Sequence, residues 1–214
     1  MDLGKKLRTS LATLPKVWDA KSCIMEMQKN GFKHWRQSEW IGWYFQYLCE
    51  SKLRSIFSIP GASYGNAEFD GSAEGLNFDF KAHSWYDRKR SIKKTTILND
   101  KIAMEESIKA NGRHCLLIAL LDCSYDSSGE FKKWHEKVKG EESKYVAEGR
   151  KSGRPQRILK TNAKVVKFLV LTITSENIHR LPIMKQPKNS NGKPRLPKYL
   201  LDFSTINHFN PIEI

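Results

Sequence analysis

The triplet Asp79-Phe80-Lys81 brings a carboxylate and an ammonium group within two positions of each other. Its surroundings alternate, with Leu76, Phe78 and Phe80 at every second position, which predicts a β-strand over 76–81 with one buried face. Residues two apart on a strand point to the same side. We therefore expect Asp79 and Lys81 to share the polar face of this strand.

Asp70 lies upstream of the same strand, beyond the turn-rich segment 71–75, so residues 66–70 and 76–81 together predict a β-hairpin. On such a hairpin, Asp70 and Asp79 could both place oxygens on one Mg²⁺, a hard cation that prefers oxygen ligands. In phosphodiester hydrolysis a divalent cation activates the attacking water, neutralises charge on the phosphorane and stabilises the departing oxygen. Lys81 would lie beside the metal-bound water, where it could orient or deprotonate that water or stabilise charge on the phosphate.

The acid-x-Lys pattern is common in this chain and indicates a site only in context. Asp79 and Lys81 are set apart by a central apolar residue, strand-like apolar neighbours and another acid upstream. The alternative for this pair is a structural salt bridge. The other occurrences lie in helical or highly charged stretches, typical of exposed faces or helix-stabilising pairs: Asp19 to Lys21, Glu50 to Lys52, Asp87 to Lys89, Glu130 to Lys132 and Glu142 to Lys144.

The register of the hairpin decides which acids join Asp79. Asp70 and Asp79 share a face of an antiparallel hairpin if paired residue numbers add to an odd total, or if a bulge intervenes. Pairing Glu68 with Asp79 meets this condition and would bring Glu68 to the metal face, as an extra ligand or as a replacement for Asp70. The alternative is that Glu68 is an exposed edge residue. His83, just after the triplet, could contact a phosphate or the water, or serve only in polar packing.

The elements around the hairpin follow from periodicity and from helix-stop signals. Residues 37–50 have helical spacing of apolar residues, a helix capped by Asn99 or Asp100 should end near Asn111-Gly112, and 114–123 is a buried strand. A further helix over 131–145 precedes a strand over 165–174, and the proline-rich last forty residues predict loops and short strands. Helices interleaved with strands in this way predict an α/β or α+β fold, with a central sheet flanked by helices.

The charge of the chain favours a polyanionic partner. Thirty-seven Lys and Arg against 23 Asp and Glu give a formal net charge of +14, and the windows 88–99, 149–167 and 177–201 hold five, seven and six basic residues without an acid. Such clusters suit phosphate contacts, although Lys-rich loops can also be only a soluble surface. Arg can pair with guanine and Gln or Asn with adenine, or these side chains can hold phosphates. The candidate DNA-binding residues are Arg88, Arg90, Lys93, Arg150, Arg154, Gln156, Arg157, Lys160 and Asn162.

Several other classes of protein do not fit the sequence. The longest apolar run, 115–121, has seven residues, far short of the roughly 20 needed to span a bilayer. The apolar stretch after the first basic residues is too short for a secretory signal. The four cysteines show neither a Cys-x-x-Cys pair nor zinc-ligand spacing, which favours reduced, buried thiols. We therefore expect a globular, cytoplasmic protein without a membrane partner.

Taken together, residues 37–123 resemble the catalytic core of the PD-(D/E)xK nuclease superfamily, most closely its type II restriction endonucleases. The matching features are a helix with an acidic residue, Phe69-Asp70, then Asp79-Phe80-Lys81, then a helix and a buried strand. The resemblance implies a restriction-endonuclease-like core with a sheet of mixed direction, and Mg²⁺-dependent cleavage of double-stranded DNA by a homodimer at a short palindrome. It makes Asp70 and Asp79 the metal-binding acids and Lys81 the catalytic lysine. Phe69 in place of proline and the short gap between the acids depart from the family pattern.

The resemblance also implies an organisation for the whole chain. Residues 1–214 would form a single nuclease domain, with the catalytic core at about 37–123 and a basic DNA-recognition region at about 149–201. Many nucleases of this kind place a Glu from the preceding helix near the metal, which makes Glu39 a further candidate. The alternative is that Glu39 is an exposed acid of the first helical turn, interacting with the helix dipole.

Two other functions remain open from the sequence. One is another PD-(D/E)xK enzyme, such as a junction resolvase, a repair nuclease or a modification-dependent endonuclease. The other is a non-catalytic nucleic-acid-binding protein, in which Trp40, Trp43, Tyr44 and Tyr47 would be exposed platforms for base stacking. Their helical spacing argues instead for packing in a core.

Overall fold

The structure is a computed structural model that describes residues 3–60, 69–140, 144–151, 153, 158–186, 192 and 194–214. Its α-helices are α1 (Leu3–Ala12), α2 (Ala20–Lys29), α3 (Trp40–Lys52), α4 (Lys101–Asn111), α5 (Glu130–Lys139) and α6 (Lys144–Lys151). Its strands are β1 (Val17–Asp19), β2 (Gly71–Ala73), β3 (Leu76–Ser84), β4 (Thr95–Asp100), β5 (Arg113–Tyr125), β6 (Lys160–Thr174), β7 (Ile183–Met184), β8 (Lys198–Asp202) and β9 (Ile212–Glu213). Short 3₁₀ helices span Lys33–Arg36, Ile178–Arg180 and Phe203–Phe209.

The central sheet has the strand order β1-β6-β5-β3-β2, with β9 added to β6. Strands β3 and β5 are parallel, whereas β2 pairs with β3, and β6 with β5, β1 and β9, in antiparallel fashion. The sheet is therefore mixed and flanked by helices, as expected. The parallel pair sets Asp79 opposite Leu116 and Lys81 opposite Ile118.

Strand β5 is buried on both faces, which explains its nearly continuous apolar sequence. One face, which includes Leu117 and Leu121, packs in a cluster with residues of α1, α2 and α3. The other face, which includes Leu116 and Ile118, packs in a second cluster with residues of α4, β4 and β8. Burial of each such Leu contributes about 1.5 to 3 kcal/mol to stability. The sheet is thus held between two apolar layers.

The second layer contains a small sheet of its own, in the order β4-β8-β7. Strand β4 pairs with β8 in antiparallel fashion, with Thr96 opposite Leu201. The last forty residues contain short strands, as predicted, but their 3₁₀ helices and the pairing of β8 with β4 were not predicted. Because β4 and β8 lie far apart in the sequence, no local pattern indicates that they pair.

Helix α3 confirms the helix predicted over residues 37–50, and its aromatic residues lie in the core. Trp40, Tyr44 and Tyr47 are 1%, 4% and 7% exposed. Trp43 is half-buried and stacks on His34 with ring centroids 3.9 Å apart. Trp40, Tyr44 and Tyr47 are therefore too buried to be the exposed stacking platforms that the non-catalytic alternative requires.

The predicted hairpin is present, but its first strand is displaced. The structure places β2 at Gly71–Ala73, inside the segment expected to be the turn, and Asp70 just before it. The two-residue turn is Glu74-Gly75, with φ of 50° and 77° at the two positions. Positive φ at both central residues is typical of a type I′ turn, whose twist matches that of the two strands.

Two other element predictions need correction. Residues 131–145, predicted as one helix, are divided between α5, which ends at Lys139, and α6, which begins at Lys144. Strand β6 begins at Lys160, five residues before the predicted start at Val165. In the described ranges, none of the helices combines the length and apolar character needed to cross a membrane.

Candidate active site

The register of the β2–β3 hairpin meets the condition set by the sequence. Gly71 lies opposite Phe78 and Ala73 opposite Leu76, so paired residue numbers add to an odd total. The paired register ends at Gly71, and Asp70, just before β2, departs from it because its amide bonds to the Phe78 carbonyl. Glu68 lies outside the described residues, so its expected role remains a prediction.

The carboxylate of Asp70 is fixed against the backbone of the triplet. The Asp70 amide donates to the Phe78 carbonyl at 2.9 Å, and the Phe80 amide donates to Asp70 Oδ2 at 2.7 Å. The Phe80 amide of β3 therefore bonds to the side chain of Asp70 instead of to a backbone carbonyl of a paired strand. Within the described part of the chain, no hydrogen bond is made to the second oxygen, Oδ1.

Burial and neighbouring charges act together on Asp70. Its pKa is raised from 3.8 to about 6, mainly by burial, and the ammonium of Lys81 opposes this rise. The negative charges of Asp79 and Glu50 raise the pKa further. Asp70 therefore lies where three acidic groups and one lysine meet, and where negative charge is disfavoured unless a cation compensates it.

Lys81 is half-buried on the strand face that also carries Asp79. Among the described residues, its ammonium makes no hydrogen bond or ion pair within contact distance. Its effect on the Asp70 pKa shows that it lies close enough to interact with that carboxylate. The salt bridge proposed as the alternative role of the triplet is therefore not formed between Asp79 and Lys81.

Asp79 is 3% exposed and is held from behind by His114. Its Oδ2 lies 2.8 Å from His114 Nε2, and His114 Nδ1 lies 3.0 Å from Ser107 Oγ. The sequence analysis missed both partners, since His114 was taken only as the first residue of a buried strand. The proximity of His114 to Asp79 follows from the parallel register of β3 and β5. The periodicity of the sequence does not reveal that register.

The helical acid near the hairpin is Glu50 rather than Glu39. Ring packing of Phe45 against Phe80, with centroids 6.4 Å apart, lays α3 on β3. This contact brings the last turns of α3, with Glu50, into the surroundings of Asp70, and Gln46 Nε2 donates to Glu50 Oε1 at 2.8 Å. Glu50 was missed because, as part of an acid-x-Lys triplet, it was assigned to an exposed helix face.

Glu39 lies before the other end of α3, about 16 Å away at 1.5 Å per residue. Its Oε2 pairs with Lys160 Nζ at 3.1 Å. The indole of Trp40 donates to the Lys160 carbonyl at 2.8 Å, so this corner joins α3 to β6. Two roles were expected for Glu39, a place near the metal or an exposed contact with the helix dipole. The ion pair with Lys160 is a third role that was not expected.

His83 packs in the interior, which was the alternative to a contact with a phosphate or with the water. It is 7% exposed, its Nε2 lies 3.4 Å from the Lys93 carbonyl, and its ring lies 5.1 Å from that of Phe203. Burial lowers the pKa of His83 to about 4, so the imidazole is neutral near pH 7. A neutral buried ring packed in this way is poorly suited to binding a phosphate.

The donor set fits Mg²⁺ better than a transition metal. No group of three or more His, Cys, Asp or Glu in the described ranges is arranged to enclose a metal ion. Mg²⁺ is commonly held by one or two carboxylates while it keeps several waters. Asp70 and Asp79, with Glu50 nearby, supply carboxylate oxygens of this kind, and burial disfavours the charge of Asp70. These residues could therefore hold Mg²⁺.

The first basic window is only partly available for DNA. Arg88 is exposed in the turn after β3. The Arg90 guanidinium makes a fork to Asp122, with distances of 2.5 and 3.1 Å, and lies 4.7 Å above the ring of Tyr86. Lys93 is half-buried. Arg88 is thus the candidate in this window whose charge most readily reaches a phosphate.

The second window contains one candidate that needs correction. Lys160, with its side chain 12% exposed and paired with Glu39, is part of the framework rather than a DNA contact. Asn162 is exposed on β6. Arg154, Gln156 and Arg157 and the side chain of Arg150 lie outside the described residues.

Comparison with known proteins found no match to this chain among family models, curated proteins or solved structures. A functional assignment consequently depends on the geometry of the hairpin and its surroundings.

Proposed function

We propose that this protein is a Mg²⁺-dependent endonuclease with a restriction-endonuclease-like core, acting as a type II restriction enzyme on double-stranded DNA. The observation that carries the proposal is the meeting of Asp70, Asp79 and Lys81 on one hairpin, where the pKa of Asp70 is raised to about 6. A raised carboxyl pKa beside a second acid is typical of a functional site. The mixed sheet flanked by helices also agrees with this class of core.

Each group of the hairpin has a role in phosphodiester hydrolysis. Asp70 and Asp79 hold the cation, and the hydrogen bond from Phe80 to Asp70 keeps the first carboxylate in place. When bound, Mg²⁺ would supply an activated water and neutralise negative charge at the phosphate. Lys81 orients the attacking water or stabilises the charge that develops on the scissile phosphate.

The charge distribution supports DNA as the substrate. A net charge of +14 and the acid-free windows favour a polyanion, and exposed Arg88 lies just downstream of the strand that carries Lys81. A palindromic site has two-fold symmetry, which a two-fold symmetric protein matches. The proposal therefore includes a homodimer.

Plasmid cleavage tests this function. The wild-type protein should convert a supercoiled plasmid into discrete fragments with Mg²⁺ and leave it intact with EDTA. Lys81→Met and Asp79→Asn should lower the cleavage rate at least about 100-fold while retaining DNA binding in a gel-shift assay. Asn is preferable to Ala at position 79 because Ala would leave buried His114 without its acceptor.

Two exposed residues away from the hairpin provide matched controls. Lys29→Met at the end of α2 and Glu106→Gln in α4 remove the same charges and should cut at the wild-type rate. Nicking, or cutting only of branched DNA, would move the assignment to another PD-(D/E)xK nuclease. Cutting by the Lys81 or Asp79 variants at the wild-type rate would overturn the proposed site.

A further inference from the structure

The structure assigns His114 and Ser107 as positioning residues for Asp79, forming a buried chain that sets the direction in which this carboxylate offers its oxygens to Mg²⁺. This inference rests on the proposed function, because it concerns the metal site of the hairpin. It goes beyond the proposed function because it gives a role to His114 and Ser107, which would bind neither metal nor DNA and would act through Asp79.

The first support for this assignment is the sheet register. His114 lies two residues before Leu116 on β5, and Leu116 is the partner of Asp79 on the parallel strand β3. Because residues two apart on a strand face the same side, His114 shares the face of Asp79. The observed distance of 2.8 Å between His114 Nε2 and Asp79 Oδ2 follows from this placement.

The second support is the short connection between α4 and β5. Helix α4 ends at Asn111, and Gly112, with φ of 73°, donates its amide to the Ile108 carbonyl at 2.7 Å. A left-handed residue at this position ends a helix sharply, so β5 begins at the next residue. Ser107, on the buried face of α4, is thereby held 3.0 Å from His114 Nδ1.

The hydrogen-bond chemistry gives the chain a direction. An ionised carboxylate can only accept, so the hydrogen of the His114 ring lies on Nε2 and points to Asp79. In the neutral ring Nδ1 then has no hydrogen, so the Ser107 hydroxyl donates to it and fixes the plane of the ring. The Asp79 carboxylate is consequently held in one orientation from behind.

The surroundings argue that this chain does more than fill space. Ser107 and His114 are 0% exposed, and their neighbours along α4 and β5, Met104, Ile108 and Leu116, belong to a buried apolar cluster. Apolar side chains would pack here without the cost of burying polar groups. Carboxylates that bind metal ions are in turn held by hydrogen bonds, and loss of such partners typically weakens metal binding by about 10- to 100-fold.

Titration of the full-length protein with MgCl₂ in the absence of DNA tests the assignment, with the rise in melting temperature as the measure of binding. His114→Leu should raise the Mg²⁺ concentration at half-saturation by at least about tenfold. His114→Gln, which keeps a donor near the position of Nε2, should restore most of this loss. Ser107→Ala, a smaller change that preserves folding, should raise half-saturation about threefold, since the ring remains but is less firmly held.

The matched control is His135, a second buried His, which is 2% exposed and lies on α5, 3.4 Å from the Trp35 carbonyl. His135→Leu should lower the melting temperature without changing the Mg²⁺ half-saturation. Mg²⁺ binding by His114→Leu and Ser107→Ala at the wild-type concentration would overturn the positioning role and leave the proposed function intact. Absence of any Mg²⁺ effect on the wild-type protein would overturn both.

Discussion

At the level of single residues, Asp70 lies in an environment that is unfavourable to its charge. Its carboxylate is surrounded by buried structure and by the negative charges of Asp79 and Glu50, and Lys81 offsets only part of this. Natural proteins retain such costs at sites where a ligand later compensates them. In the metal-free protein, Asp70 should therefore reduce stability at neutral pH.

Replacement of Asp70 by Asn should stabilise the metal-free protein at pH 8. The folded state binds the Asp70 proton more tightly than the unfolded chain does, so ionisation costs folding free energy at every pH above about 6. Asp70→Asn removes this cost, on the order of 2 to 3 kcal/mol, and Asn can still accept from Phe80. The gain should disappear as the pH falls from about 6 toward 3.8, the ordinary pKa of the group.

Urea unfolding in EDTA at several pH values measures this effect. The control Glu106→Gln removes an exposed acid of α4 and should not reproduce the gain. An Asp70→Asn protein that is less stable than wild type at pH 8, or whose stability difference does not depend on pH, would contradict the account of this site.

The residues of the site differ in how far the sequence could predict them. Asp70, Asp79 and Lys81 could be named as candidates because strand alternation and a turn predict a hairpin face. Glu50 and His114 were missed because their proximity depends on how α3 and β5 pack against β3. Contacts of that kind are set by tertiary structure, which spacing along the chain does not encode.

At the level of elements, helix α3 separates two acids, of which the sequence analysis named only Glu39 as a candidate for the site. Packing of Phe45 on Phe80 brings Glu50 toward the hairpin, whereas Glu39 pairs with Lys160 near the start of β6. The two acids therefore have different roles, one electrostatic at the site and one structural.

Glu50→Gln and Glu39→Gln should consequently affect different properties, Mg²⁺ binding in the first case and folding stability in the second. Glu50→Gln should weaken Mg²⁺ binding about tenfold, because it removes a negative charge that attracts the cation, while stability changes little. Glu39→Gln should lower stability by about 1 to 3 kcal/mol, because it leaves the Lys160 ammonium, 12% exposed, without its carboxylate. Mg²⁺ titration and urea unfolding of both variants measure the contrast, and the reverse pattern would restore Glu39 as the helical acid of the site.

The fold was predictable where one element shows its own periodicity. Helices α3 and α4 and strands β5 and β6 have long, regular apolar patterns, and a glycine follows the end of α4. The displaced strand β2, the division between α5 and α6, and the β4-β8-β7 sheet were not predicted. Three-residue strands and pairings across about half of the chain leave too weak a local signal.

At the level of the whole molecule, the positive charge should make DNA binding strongly dependent on salt. Each phosphate contact releases a counterion and contributes about −0.9 to the slope of log affinity against log salt. Arg88 is exposed, whereas Lys160 is mostly buried in its ion pair. Only the first of these charges should contribute to the slope.

Arg88→Ala should weaken DNA binding and reduce the magnitude of the slope by about 0.9. Lys160→Met should lower stability and leave the slope unchanged, because its charge is engaged by Glu39. Fluorescence anisotropy with a labelled duplex at several KCl concentrations measures both slopes. A slope altered by Lys160→Met but not by Arg88→Ala would show that the DNA-facing surface has been assigned to the wrong side of the molecule.

The most direct test of the central claim is a crystal grown with Mn²⁺ in place of Mg²⁺, analysed by anomalous scattering. The account predicts one strong peak at the hairpin, bonded to oxygens of Asp70 and Asp79 at about 2.1 Å. No peak between these carboxylates, or a strong peak only elsewhere in the molecule, would contradict it.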